Sequence, residues 1–158
     1  MKKFYPREKL AALLAALKKK RKRVVFANGC FDLLHVGHLR YLQGAKNLGS
    51  VLVVALNTDA SVRKLKGPLR PLMPLRERVE LISALACVDY VTSFGEPNAE
   101  KTLRLLKPDI QAKGRDYSKT NVPEAALMKS LGGRVAITGD PKDHSSSDLI
   151  TRIKKALP

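Results

Sequence analysis

The chain has no tryptophan, and its four tyrosines and four phenylalanines bring aromatics to only 5% of 158 residues. Platforms that stack single-stranded nucleic acid are built from such rings, so a module of that kind is not expected. Cysteine is nearly absent: Cys30 and Cys87 form no CxxC pair, which argues against a zinc site or a disulfide scaffold and for a reducing compartment, the cytosol. Acid is scarce, with 14 Asp and Glu against 30 Lys and Arg, and the carboxylates do not cluster at the spacing of a metal cage. With 9 prolines and 10 glycines the chain is neither fibrous nor disordered. The apolar run Leu10 to Leu17 covers eight residues, too short for a membrane span, and no small-residue cleavage site follows it.

What is present is a large cationic excess, unevenly spread. Residues 1–23 hold ten basic side chains and the single acid Glu8, whereas the remaining twenty basic residues meet thirteen acids. An anionic ligand follows, either nucleic acid or a phosphorylated small molecule, and charge alone does not choose between them. Leu10, Leu13, Leu14 and Leu17 recur at helical spacing, so residues 6–20 read as an amphipathic helix with its cations near the C-terminus, where they suit the dipole.

Beyond this leader, short apolar runs alternate with helical patterns. Val24 to Ala27, Val51 to Leu56, Tyr90 to Phe94, Asp109 to Lys113 and Arg134 to Thr138 read as strands. Helices are expected over residues 36–48, 60–65, 74–86, 98–106, 123–131 and 146–157. Strands without period-two alternation, separated by helices, indicate a parallel sheet covered on both faces: a single-domain, doubly wound Rossmann-like α/β fold preceded by the amphipathic helix. Such sheets bind ligands just beyond the carboxyl ends of their strands.

After the first strand comes Asn28-Gly29-Cys30-Phe31-Asp32-Leu33-Leu34-His35-Val36-Gly37-His38. A strand, a glycine turn and a helix opening on His-x-Gly-His put two imidazoles beside free backbone N–H groups, and Gly37 lets an anion approach closely. This suits phosphate chemistry by charge stabilisation, with no covalent nucleophile. Cys30 has no base specified beside it and reads as a packed thiol. Lys66, in the loop Lys66-Gly67-Pro68-Leu69-Arg70-Pro71, carries a long cationic side chain able to swing onto phosphates. Ser145, Ser146 and Ser147 open the last helix, where hydroxyls and N–H groups grip phosphates or simply cap the helix with Asp148.

These residues resemble the G-x-F-D-x-x-H-x-G-H signature of the cytidylyltransferase-like nucleotidyltransferases. The similarity continues through Tyr41-Leu42, Asn57 to Arg63, Leu65-Lys66-Gly67, Arg70-Pro71, Arg78, Cys87 to Val91 and Lys113-Gly114-Arg115-Asp116-Tyr117. In combination they are most similar to the heptose 1-phosphate adenylyltransferase branch, the transferase half of bifunctional heptose kinase/adenylyltransferases. The resemblance implies residues 1–22 as a basic leader and residues 23–158 as a stand-alone transferase domain. It implies transfer of AMP from ATP to a phosphorylated sugar, with Mg²⁺ entering on the triphosphate. The alternatives are a cytidylyltransferase acting on glycerol 3-phosphate or another phospho-alcohol, and a nucleic-acid-binding module using the leader.

By the same resemblance His35, His38 and Lys66 are catalytic. Asn28, Gly29, Cys30, Phe31, Gly37, Lys113, Gly114, Arg115, Asp116 and the three serines bind nucleotide. Asp32, Asn57 and Arg78 face the acceptor. Arg115 stands where the family has a second glycine, and Asp140 to His144 depart from the family's apolar approach to the serines. Relatives are commonly homodimers, so a homodimer is expected; no membrane is expected as a partner.

Overall fold

The protein is described by a computed structural model covering residues 2–115, 117, 121–140 and 145–157. Helix α1 (Arg7–Lys19) leads into β1 (Val24–Gly29), α2 (Val36–Lys46), β2 (Val51–Asn57), α3 (Asp59–Lys66), α4 (Leu75–Ala84) and β3 (Tyr90–Phe94). The second half comprises α5 (Glu100–Leu106), β4 (Ile110–Lys113), α6 (Ala125–Ser130), β5 (Arg134–Ile137) and α7 (Ser146–Ala156). Each expected strand and helix is present, with ends moved by a residue or two.

The five strands are parallel in the order β3-β2-β1-β4-β5. The chain builds outward from β1 to β3, then crosses back to lay β4 on the other side of β1. Strand order therefore reverses between β1 and β4, and the crevice at their carboxyl ends is where such a sheet takes a ligand.

Because both faces are covered, the strands carry apolar side chains at consecutive positions. Val25, Ala27, Leu52, Val54 and Ile110 point to one face, where Leu42 and Ala45 of α2 and Val79 and Ile82 of α4 close over them. Val24, Phe26, Val51, Val53 and Ala55 point to the other face, against Leu103 and Leu106 of α5 and Met128 of α6. Leu10 and Leu14 of α1 are fully buried in this second cluster, so the leucine face of the leader packs on its own sheet. Its cationic end is tied down through Lys18, whose Nζ donates to Lys107 O at 2.8 Å and lies 3.1 Å from Asp109 Oδ1. Among the described residues no helix is long and apolar enough to cross a membrane.

Close approach at one edge depends on glycine. A Cβ on Gly44, in α2, would stand 2.0 Å from Thr138 Oγ1, so only glycine lets α2 settle against the end of β5. Gly139 has φ +89, and its missing side chain leaves room for the backbone of Tyr41, 3.2 Å from where a Cβ would be. The two contacts bring the chain after β5 alongside α2 and so form one wall of the crevice.

Candidate active site

A cleft of about 390 Å³ opens at the carboxyl ends of β1, β2, β4 and β5. The signature segment contributes Asn28, Gly29, Cys30, Phe31, Gly37 and His38 to its lining. Asn57 enters from the end of β2 and Lys66 from the last residue of α3. Lys113, Gly114 and Arg115 come from the end of β4, so three cationic side chains from two separate segments share one cleft.

The turn joining β1 to α2 is tightly folded. Phe31 has φ 48, in the left-handed region that a bulky residue rarely adopts, and its side chain is buried. Its ring centroid lies 5.2 Å from that of His38, so the strained backbone sets an aromatic wall against the imidazole. A Cβ at position 29 would stand 3.2 Å from the Phe31 ring, so glycine lets the ring lie close to the turn. His35 is the N-cap residue of α2 and makes no side-chain cap; its carbonyl accepts from the amides of His38 (2.9 Å) and Leu39 (3.3 Å), and the helix start meets the cleft at Gly37 and His38, the end of a helix that favours an anion.

His35 and His38 stack face to face, with centroids 3.8 Å apart and planes at 28°. Burial pushes the His38 imidazole down to about 4, and the neighbouring His35 and Lys66 add to the depression. A hydrogen bond to the Leu33 carbonyl pulls weakly the other way, while Nδ1 of His38 is buried without a hydrogen-bond partner. Two stacked rings beside a lysine cannot both hold a proton at modest cost. In the free protein, the ring carbon and nitrogen shifts of His38 are therefore expected to stay those of a neutral imidazole from pH 7 to 5, with a midpoint at about 4 by NMR titration. A midpoint at the ordinary 6.5 would mean the ring is solvated. The sign follows: the unfolded chain takes up this proton first, so the ring's contribution to stability is whole above about 6.5 and is lost as pH falls toward 4.

Asp32 and Arg78, expected at the acceptor, are not on the cleft wall. Asp32 is buried, and its carboxylate accepts from the amides of Leu72 (2.8 Å) and Met73 (2.9 Å) and from Arg70 Nε. Burial alone would raise its pKa, but those two amides and the Arg70 guanidinium outweigh it and hold the group below the usual carboxylate range. Arg78 is fully buried; it donates to Met73 O (3.0 Å) and Cys30 O (2.6 Å) and pairs with Asp59 Oδ1 (2.7 Å). Both side chains bind the loop after α3 to the signature turn, which places Lys66 over the cleft. Asn57 does line it, its amide donating to Ser61 Oγ at 3.0 Å. Cys30 is there too, its thiol 3.9 Å from Asn57 Oδ1 and pushed up by burial, which fits a packed thiol and not a nucleophile.

None of the three serines is in the cleft lining, and one of them, Ser146, touches the signature segment. Ser145 caps α7 by accepting from the Asp148 amide at 3.1 Å, and Ser146 Oγ donates to Leu33 O at 3.3 Å, joining the last helix to the histidine turn. Asp116 and the approach residues Pro141 to His144 lie outside the described residues. Sequence reasoning missed a wall: Thr138, Gly139 and Asp140 line the cleft after β5, with Tyr41 of α2 beside them. The signal was their position after a strand end, the same rule that singled out the other segments. Arg115 Nε donates to Gly139 O at 2.7 Å, so the residue that replaces the family's glycine ties the wall after β4 to the wall after β5.

The cytidylyltransferase-like family profile fits residues 26–152, most of the chain, from within β1 through β2 to β5. The chain belongs to the cytidylyltransferase-like family. As a member it is a nucleotidyltransferase enzyme. It is 47% identical over 147 residues to the bifunctional protein HldE of Syntrophotalea carbinolica, covering 93% of this chain and 30% of that protein. The bifunctional protein HldE of Streptomyces coelicolor is 47% identical over 141 residues, 89% of this chain and again 30% of the relative. The chain thus spans about 30% of the length of these relatives. Among solved structures it resembles the lipopolysaccharide core biosynthesis protein of Thermoplasma volcanium, with a TM-score of 0.62 and 35% identity over 73% of this chain and 93% of that one.

Proposed function

We propose that the protein transfers AMP from ATP to D-glycero-β-D-manno-heptose 1-phosphate, giving ADP-heptose and pyrophosphate for lipopolysaccharide precursor synthesis in the cytoplasm. The observation that carries the reading is the convergence of His38, Lys66, Lys113 and Arg115 with the glycine-lined turn at the switch point of the sheet. The sugar-phosphate acceptor draws its support from the resemblance to heptose 1-phosphate adenylyltransferases, the HldE relatives and the neighbour named for lipopolysaccharide core biosynthesis.

In this reading an oxygen of the acceptor phosphate attacks the α-phosphorus of ATP. The bond from that phosphorus to the bridging oxygen breaks, and pyrophosphate leaves with the electron pair. No side chain forms a bond to phosphorus, so the rate comes from positioning and charge. The amides at the start of α2 and the His35–His38 pair meet the transferring phosphoryl oxygens, and Lys66 closes from α3 onto the same charge. A bound triphosphate raises the proton affinity of His38, reversing the depression seen in the free protein. Lys113, Gly114, Arg115 and Asn28 border the nucleotide, and Asn57 faces the acceptor. Mg²⁺ enters in this reading as part of the nucleotide substrate, neutralising its phosphates.

The test is pyrophosphate release by the purified protein with Mg²⁺, crossing ATP and CTP against β-heptose 1-phosphate and glycerol 3-phosphate. Release with ATP and the heptose phosphate alone is expected. Release only with CTP assigns the cytidylyl reaction instead, and silence in every pair overturns the acceptor assignment.

A further inference from the structure

Lys113 and Glu124 form a buried ion pair beside the cleft. The Nζ of Lys113 lies 3.1 Å from Glu124 Oε2, a charge contact without hydrogen-bond alignment, and the two side chains are only 8% and 6% exposed, which leaves Oε2 buried with no hydrogen-bond partner among the described residues. Lys113 is the last residue of β4 and lines the cleft; Glu124 is the N-cap residue of α6 and does not. The ammonium also sits over the Tyr117 ring, 5.0 Å from its centroid, so an acid on one side and an aromatic face on the other fix where the charge can be. Glu124 is itself anchored, because Met128, one turn along α6, donates its amide to the Glu124 carbonyl at 2.9 Å and is fully buried in the core.

A pair this deeply buried is not explained by stability, since removing two charges from water costs about as much as their attraction returns. Nor does Glu124 act as a helix cap, because it makes no side-chain cap bond. What the carboxylate does provide is a fixed place for a long, flexible cation at the edge of a phosphate-binding cleft. We infer that Glu124 is a positioning residue for nucleotide binding, acting through Lys113 to hold a preorganised cation against the nucleotide. The inference rests on the reading of Lys113 as a nucleotide contact. Without the carboxylate the buried ammonium is unpaired, the lysine leaves its place on the cleft wall, and each binding event must order it again.

The test compares Glu124→Gln, Lys113→Met and the double variant in the full chain, measuring KM for ATP, kcat, and ATP affinity by calorimetry without acceptor. Glu124→Gln is expected to raise both the KM for ATP and the calorimetric Kd by about tenfold, equivalent to roughly 1.4 kcal/mol, with kcat within about twofold. Lys113→Met is expected to match it, and the double variant to be no worse than Lys113→Met alone, the coupling of residues that act through one contact. A Glu124→Gln protein with lowered melting temperature and kcat but unchanged nucleotide affinity overturns the inference and leaves a structural pair. Loss of affinity in Lys113→Met without loss in Glu124→Gln overturns it while keeping Lys113 as a contact. Unchanged affinity in Lys113→Met removes the Lys113 reading and the inference together, as does a wild-type protein that binds no nucleotide.

Discussion

His38→Ala is expected to lower kcat for pyrophosphate release by about 100- to 1000-fold, the scale of losing one preorganised group that meets developing charge on a transferring phosphoryl. The folded protein should barely notice. The ring packs against Phe31 and His35, which costs on the order of 1 kcal/mol to lose. Against that loss, the wild-type ring is desolvated, its pKa is pushed down to about 4, and one of its nitrogens is buried without a partner. Deleting a polar group already held at a cost returns part of the packing energy. Turnover measured beside a thermal melt separates the two effects: a large kcat loss with a melting temperature moved by only a few degrees is the expected result. Equal losses in turnover and in folded fraction would remove His38 from the catalytic machinery and make it part of the scaffold.

The elements were legible in the sequence because each short apolar run had to be buried on both faces, and six consecutive apolar residues from Val51 to Leu56 admit few other readings. The cleft was legible where a strand end coincided with a glycine, as at Gly29, and where a glycine opened the following helix, as at Gly37. Strand order was not, because pairing β1 with both β2 and β4 is a long-range choice that no local pattern encodes. The wall at Thr138 to Asp140 escaped for a related reason: its place beside Tyr41 depends on Gly44 and Gly139, distant in sequence and informative only once α2 is docked. The leader's leucine spacing announced a buried face, but only the fold shows that Leu10 and Leu14 bury it against their own sheet.

Asp32 and Arg78 show a different limit. Charged residues just after a strand or near a signature read as ligands for substrate, because half or more of their partners in the fold are backbone atoms that carry no sequence label, and the Arg70 and Asp59 side chains that complete the set are not marked as partners by spacing. Asp32 takes the amides of Leu72 and Met73, and Arg78 takes the carbonyls of Cys30 and Met73. Met73 is therefore held from both sides, its amide by an acid of the signature turn and its carbonyl by a base of α4. The loop between α3 and α4 is pinned by charges that never reach the cleft.

Arg78→Met is accordingly expected to destabilise the protein by about 3 kcal/mol, the lower end of the cost of removing one member of a buried ion pair. Methionine keeps the length and the apolar stem, so the loss is that of the donors: the carbonyls of Met73 and Cys30 lose the guanidinium and Asp59 loses its counter-charge. Asp59 is 32% exposed and water can partly replace the guanidinium, which sets the estimate at the low end of the range. For a domain of this size about 3 kcal/mol lowers the melting temperature by roughly 6–12 °C. Because Cys30 and the loop after Lys66 share this anchor, kcat should fall as well, by less than in His38→Ala, and the loss should grow as the assay temperature nears the new melting point. A contact to the acceptor would behave otherwise, raising the acceptor KM in a protein that melts like the wild type. Melting curves and acceptor titrations on the one variant decide between a clamp that shapes the cleft from behind and a side chain that enters it.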